Sequence, residues 1–219
     1  MKFKVDLKIF IFIILFFITR QIETYATIML FAIIHELGHL FAGIILGMKP
    51  EKLEIMPYGL SISFELSLDD YNKKINQGNV LEIKKIIVAF AGPLINLIVI
   101  LIFANLRQNI LLTLIIIYSN LLLVMFNLLP IYPLDGGRIL KSILHILLGK
   151  KKAEKYINNI SFITVMILTL LSSILIYMTQ NIAIFIIIIF LWCLHIKQDL
   201  IYRRKCKIYE LVNKTIENK

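Results

Sequence analysis

Apolar residues in this chain come in long blocks: Ile9–Ile18, Tyr25–Met48, Ile86–Leu106, Ile110–Leu129, Ile157–Met178 and Ile182–Ile196. A run of about 20 apolar residues crosses a ~30 Å hydrocarbon core as a helix, which satisfies its own backbone where no water can. The pattern predicts an all-α polytopic membrane protein with about six transmembrane helices. The first run is short. Eleven residues between Lys8 and Arg20 make roughly 17 Å of helix at ~1.5 Å per residue, so it spans only if both cations reach out to the interfaces. A cleaved signal peptide is the alternative there, although the small-x-small pattern at Thr24-Tyr25-Ala26 is weak. One stretch has the other periodicity: Leu60-Ser61-Ile62-Ser63-Phe64-Glu65-Leu66 alternates strictly after Pro57-Tyr58-Gly59, which predicts a small β segment at the membrane edge. An edge carrying Leu60, Ile62 and Phe64 can pair with an unwound peptide by strand addition, and a plain interfacial hairpin is the alternative.

Composition agrees with this solvent, since 59% of the 219 residues are hydrophobic and 17% charged. The net charge of +10 raises the question of nucleic acid, and the placement of the cations answers it. Of the 24 Lys and Arg, only Arg20 and Arg107 fall on one side of the six spans; the rest lie in the amino terminus, after the second and fourth runs, and in the tail. This is the positive-inside bias, and it predicts a multi-pass cell-membrane protein with both termini cytoplasmic. The excess charge then meets anionic lipid of the bilayer, and no nucleic-acid partner is expected. The chain reads as a membrane domain over 1–200 and a short basic tail over 201–219. Cys193 and Cys206 have no metal-ligand spacing and read as reduced, structural thiols.

The second run contains His35-Glu36-Leu37-Gly38-His39. Positions i and i+4 share a helix face, about 6 Å apart along the axis, so both imidazoles can bind one ion. The intervening Glu36 can reach a water beside that ion without occupying it. Ionisable groups inside an apolar run cost several kcal/mol unless they serve a site. Histidines satisfied by hydrogen bonds between packed helices are the bland alternative.

A catalytic zinc site normally takes three protein ligands and leaves a fourth position open. The candidate third ligand is Asp135, in Asn127-Leu-Leu-Pro130-Ile-Tyr-Pro133-Leu-Asp135-Gly136-Gly137. Two prolines break the helix before it and two glycines follow, so the backbone can bend and present a carboxylate. The competing role is an N-cap for the amphipathic segment Arg138–Leu148. His39 lies ten residues, or ~15 Å of helix, before Lys49, which puts the metal in the cytoplasmic half of the bilayer. His145 and His195 lack a partner at ligand spacing and read as structural.

These segments resemble the paired signature of the site-2 proteases, and Ala91-Gly92-Pro93-Leu94-Ile95-Asn96 is similar to that family's third motif. The resemblance covers about residues 10 to 200. It implies an intramembrane zinc metalloendopeptidase holding one zinc ion per chain with His35, His39 and Asp135. Glu36 is then the catalytic acid/base, and Asn96 and Asn127 are polar positions near the site. It further implies regulated proteolysis of a membrane-associated protein substrate from the cytoplasmic side, under membrane regulatory proteins. Within the family the short form is most similar to the stage IV FB sporulation type, which frees a sigma factor from its precursor. The 23 residues after Ile196 are too few for the PDZ or CBS domain of many relatives. Asn96 is the candidate second donor to a developing oxyanion, because Gly92 and Pro93 loosen its helix and let it approach, with interhelical hydrogen bonding as its alternative. Two other function classes compete. A metal transporter normally shows repeated halves, which this chain lacks, and a catalytically inactive metal-binding or scaffold protein would keep the ligands without turnover.

Overall fold

The computed structural model describes residues 2–5, 22–56, 59–65, 75–105, 110–179 and 182–217. The short first run, Ile9–Ile18, and the Pro57-Tyr58 turn lie outside these residues. The chain divides into two units, Met1–Leu128 and Leu129–Lys219.

The first unit begins with β1 (Lys2–Val5), followed by α1 (Ile22–Ile45), β2 (Lys49–Met56), β3 (Gly59–Glu65), α2 (Ile75–Asn105) and α3 (Ile110–Asn127). Helix α1 stops because Gly47 takes φ 74°. Met48 N donates to Gly43 O and Gly47 N to Ile44 O, each at 2.9 Å, so a left-handed glycine cap satisfies the last carbonyls. The chain then enters a three-stranded sheet of order β1-β2-β3. Strand β1 runs parallel to β2, and β3 antiparallel, with Leu53 opposite Ile62 and Ile55 opposite Leu60. Strand β3 is terminal, so among the described residues no strand covers its outer edge. It lies against α1, where a Cβ on Gly43 would run into the Phe64 ring.

Helices α1, α2 and α3 share one apolar seam, built from Phe31, Ala32, Ile116 and Leu123, with Ile28, Ile34, Val99 and Phe103 around it. Helix α2 starts at Ile75, earlier than the predicted Ile86, because polar residues ahead of an apolar run end a membrane span without ending a helix. Pro93 sits inside it and removes one backbone donor from the ladder.

The second unit holds α4 (Asp135–Leu148), α5 (Lys150–Thr179) and α6 (Ile182–Glu217). Ile131, Ala153, Ile157, Val165 and Leu191 are buried at its centre. Trp192 Nε1 donates to Thr169 Oγ1 at 3.0 Å across α5 and α6. His195 is buried beside the Phe162 and Trp192 rings, in keeping with a structural role. Helix α6 continues unbroken through the basic residues to Glu217. Beyond its apolar part, polar contacts tie it to α5: Lys205 to Glu154 at 2.7 Å and Asn158 to Asp199 at 3.0 Å. Both cysteines are free.

Among the described residues, three helices are long and apolar enough to cross a membrane, over Ala26–Ile45, Asn79–Asn105 and Lys150–Met178, and Leu112–Asn127 is a shorter apolar helix. Large apolar side chains such as Phe41 and Leu170, more than 60% exposed, have their natural solvent in lipid. The chain is a membrane protein.

Burial pushes the Asp199 carboxyl up, but hydrogen bonds from Asn158 and Arg203 outweigh this and hold it below its ordinary value. A depressed carboxylate contributes stability above its unfolded pKa and loses it as pH falls through the folded one. Asp199→Asn is therefore expected to lower the neutral plateau of a thermal-stability profile while changing little well below about pH 4, where the carboxyl is already protonated, so that the acid limb is shallower. An unaltered neutral plateau would count against the contact.

Candidate metal centre

Two imidazoles are brought together by the pitch of α1. His35 and His39 are 3% and 2% exposed, and their Nε2 atoms stand 3.1 Å apart. Two nitrogens ~2.0–2.1 Å from a tetrahedral ion are about 3.4 Å from each other, so the pair is already near ligand spacing. The backbone carbonyl of Val88 in α2 lies 2.6 Å from His39 Nδ1. A carbonyl only accepts, so Nδ1 carries the hydrogen and the neutral ring keeps its lone pair on Nε2, facing His35.

The approach of α2 to this face is possible because of glycine. A Cβ on Gly92 would sit 2.5 Å from His39 Nε2 and 2.6 Å from His35 Nε2, inside the space where an ion must go. Gly38, between the histidines, gives the same clearance from the other side, since a Cβ there would meet Ile95 and the Ala91 carbonyl. From the sequence, Gly92 reads as loosening its helix; its observed role is to keep the ligand face empty.

In the second unit, Asp135 is buried, 5% exposed, at the first residue of α4. The capping alternative is not the arrangement found: the N-cap is Leu134, with no side-chain cap bond. A carboxylate in the first turn is favoured by the helix dipole. Arg138 Nη1 approaches its Oδ1 at 3.9 Å. The segment leading to it is folded tightly against α4 and α5. Leu134 N donates to Ile131 O at 2.8 Å, Tyr132 N to Ser161 Oγ at 3.1 Å, and a Cβ on Gly137 would collide with the Ile131 and Tyr132 backbone.

His35 and His39 in the first unit and Asp135 in the second are all buried. Two imidazoles and a carboxylate form a donor set that suits zinc and leaves a fourth position for water or substrate. Of the other residues singled out from sequence, Glu36 is partly exposed beside His35, Asn96 in α2 is fully buried, and Asn127, half-buried, is the last residue of α3. Phe64 meets α1 at Gly43, a turn beyond His39; Leu60 and Ile62 are known here by their register in β3. The Val88 carbonyl was not foreseeable, because a backbone acceptor has no residue signature.

Comparisons with known proteins place this chain near zinc metalloproteases. Residues 104–171 match the sequence profile of Peptidase family M50. A zinc metalloprotease of Methanocaldococcus jannaschii is 34% identical over 137 residues, covering 58% of this chain and 36% of the relative. The chain thus spans little more than a third of that curated relative's length. The solved structure of a site-2 protease from the same organism superposes with TM-score 0.63 at 21% identity, covering 90% of this chain and 91% of the other. The last likeness establishes the fold. The profile and the curated relative support the M50 family and a zinc metalloprotease.

Gly92→Ala, which puts a methyl group between the ligand nitrogens, is expected to lower zinc affinity by two or more orders of magnitude without loss of helix content. Metal analysis of purified protein checks this, and a stoichiometric zinc content in the variant would contradict the role given to Gly92.

Proposed function

We propose that this chain is an intramembrane zinc metalloendopeptidase that cuts a membrane-associated protein from the cytoplasmic side. The observation that carries the reading is the buried pair His35 and His39, whose Nε2 atoms stand 3.1 Å apart, with Glu36 on the same helical turn. Asp135, buried at the start of α4, is the proposed third ligand beside the two histidines. Zinc, when bound to these three side chains, polarises a carbonyl and makes water acidic near neutral pH.

The remaining chemistry falls to the chain itself. Glu36 accepts a proton as the water oxygen adds to the peptide carbonyl carbon, and returns it to the nitrogen as the C–N bond breaks. Asn96 donates from Nδ2 to the carbonyl oxygen as that atom gains charge. The substrate must be unwound to expose its scissile bond. The outer edge of β3, carrying Leu60, Ile62 and Phe64, receives it as an added strand, and Asn127 helps hold it. Strand addition here is supported by the terminal position of β3 and its packing on α1 beyond the histidines.

The reading includes a cell-membrane location with several passes, both termini cytoplasmic, and control by membrane regulatory proteins. Its support is the distribution of Lys and Arg. The proposed substrate class is a membrane-tethered precursor of a transcription factor. A sporulation sigma factor precursor is the specific candidate, on the likeness of the short form to the stage IV FB type.

Co-expression with candidate precursors tests the activity. Glu36→Gln should lower cleavage by about 10²–10⁴-fold while zinc stays bound; cutting at the normal rate by this variant would leave a metal-binding or scaffold protein as the better reading. Asn96→Ala should cost about 10²–10³ in kcat. Ile62→Pro removes a backbone donor from the proposed substrate edge and should slow cleavage about tenfold in a folded protein. Unchanged cleavage would remove the strand from substrate binding.

A further inference from the structure

Two carboxamides are buried among the apolar side chains of α1, α2 and α3. Asn96 and Asn120 are both fully buried. Asn120 Nδ2 donates to Ile116 O at 2.9 Å, one turn back in its own helix. Since that carbonyl only accepts, the orientation of the amide is fixed, and its Oδ1 is the atom left over. Among the described residues, Asn120 Oδ1 and both Asn96 side-chain atoms have no hydrogen-bond partner. Each such atom costs about 1–3 kcal/mol when buried without a partner. Two amides kept in a lipid-facing bundle at that cost call for something polar between them.

Their positions converge. Gly92 lies against His35 and His39, so Asn96, four residues further along α2, is about 6 Å on. That is the level of Phe31 and Ala32 in α1. Ile116 and Leu123 of α3 belong to the same cluster as those two residues, and they bracket Asn120 at i−4 and i+3 on one helix face. Val99 and Phe103, which continue the face of Asn96, pack on this cluster as well. The two amides therefore enter one seam from α2 and α3 at one level, a turn from His35.

We propose that Asn96 and Asn120 hold one buried water molecule, and that Asn120 is a positioning residue that acts through it on Asn96. The orphan atoms are two acceptors and one donor. A single water donates twice, to Asn120 Oδ1 and to Asn96 Oδ1, and satisfies both acceptors. The donor that remains is Asn96 Nδ2, the group the proposed reaction uses. The water fixes which way the Asn96 amide faces, so this donor is presented without a reorientation at the moment charge develops. The water itself follows from burial and the count of donors and acceptors; its effect on rate rests on the donor role proposed for Asn96.

Radiolytic hydroxyl labelling, in which an X-ray pulse turns bound water into radicals that mark adjacent side chains, tests this in full-length, zinc-loaded Glu36→Gln protein in lipid nanodiscs. Labelling is expected at buried Phe31, Ile116 and Leu123. It should be lost in an added Asn120→Leu change and kept in Asn120→Ser, which retains a hydroxyl and leaves room for water. In the active protein, Asn120→Leu should lower kcat about tenfold with KM and zinc content unchanged, and Asn120→Ser should recover part of it. Absence of labelling at those residues, labelling unaffected by Asn120→Leu, or an unaltered kcat would each overturn the proposal. If Asn96→Ala leaves kcat unaltered while the labelling pattern holds, the donor role of Asn96 falls and the buried water stands.

Discussion

Everything at the centre depends on how closely α2 approaches the histidine face of α1. Helices in lipid gain little from burying apolar area against each other, because the tails outside are as apolar as the side chains within. Close contact must come from small residues and polar bonds. Gly38 and Gly92 supply the first, and the bond between His39 Nδ1 and the Val88 carbonyl the second. That bond also has a chemical consequence. It consumes the one ring hydrogen of neutral His39, so the packing interaction and the availability of Nε2 are a single fact. A site that used a side chain for this purpose would need a second buried polar residue; a backbone carbonyl adds no group to desolvate.

The third donor is handled differently. A carboxylate is costlier to bury than an imidazole, and Asp135 arrives at a helix N-terminus, where backbone N–H groups and the dipole favour negative charge. The backbone before it is committed elsewhere: to Ser161, to Ile131 and to the contact at Gly137. Placing the carboxylate at the start of a helix, after a segment with almost no freedom, fixes a short side chain more firmly than a position in a mobile loop would.

Much of this was legible in the residues. The spacing of His35 and His39 fixes a shared helix face, and a pair of prolines before Asp135 followed by Gly136 and Gly137 marks a bend rather than a span. The alternation from Leu60 to Glu65 falls in strand β3. What could not be read has three physical causes. Charges end an apolar run but not a helix, so α2 begins before Ile86 and α6 continues to Glu217. Close approach is invisible in one chain's pattern, so Gly92 reads as a flexible point when its role is to leave space. Asn120 looks like a tolerated polar residue in an apolar run until its exposure and its single hydrogen bond are known.

The polar groups of the first unit also differ in kind with depth. Lys84 and Lys85 lie at the start of the apolar part of α2, and Lys85 is paired with buried Glu82 at 2.7 Å. One level in, the hydrogen and the lone pair of the His39 ring are assigned by the backbone. One turn further along α2 and α3, the buried polar groups include the uncharged amides of Asn96 and Asn120, with Val99 and Phe103 packed on the apolar cluster beside them. Charge is thus paired near the start of the span, ionisable rings sit where an ion can take their lone pairs, and uncharged amides stand where an ionised group would cost more. A hydrolase in lipid has to admit water without opening a wet channel across the bilayer. Polarity that weakens stepwise along one helical seam serves both requirements, since the proposed water has the two amides as its partners and apolar side chains around them.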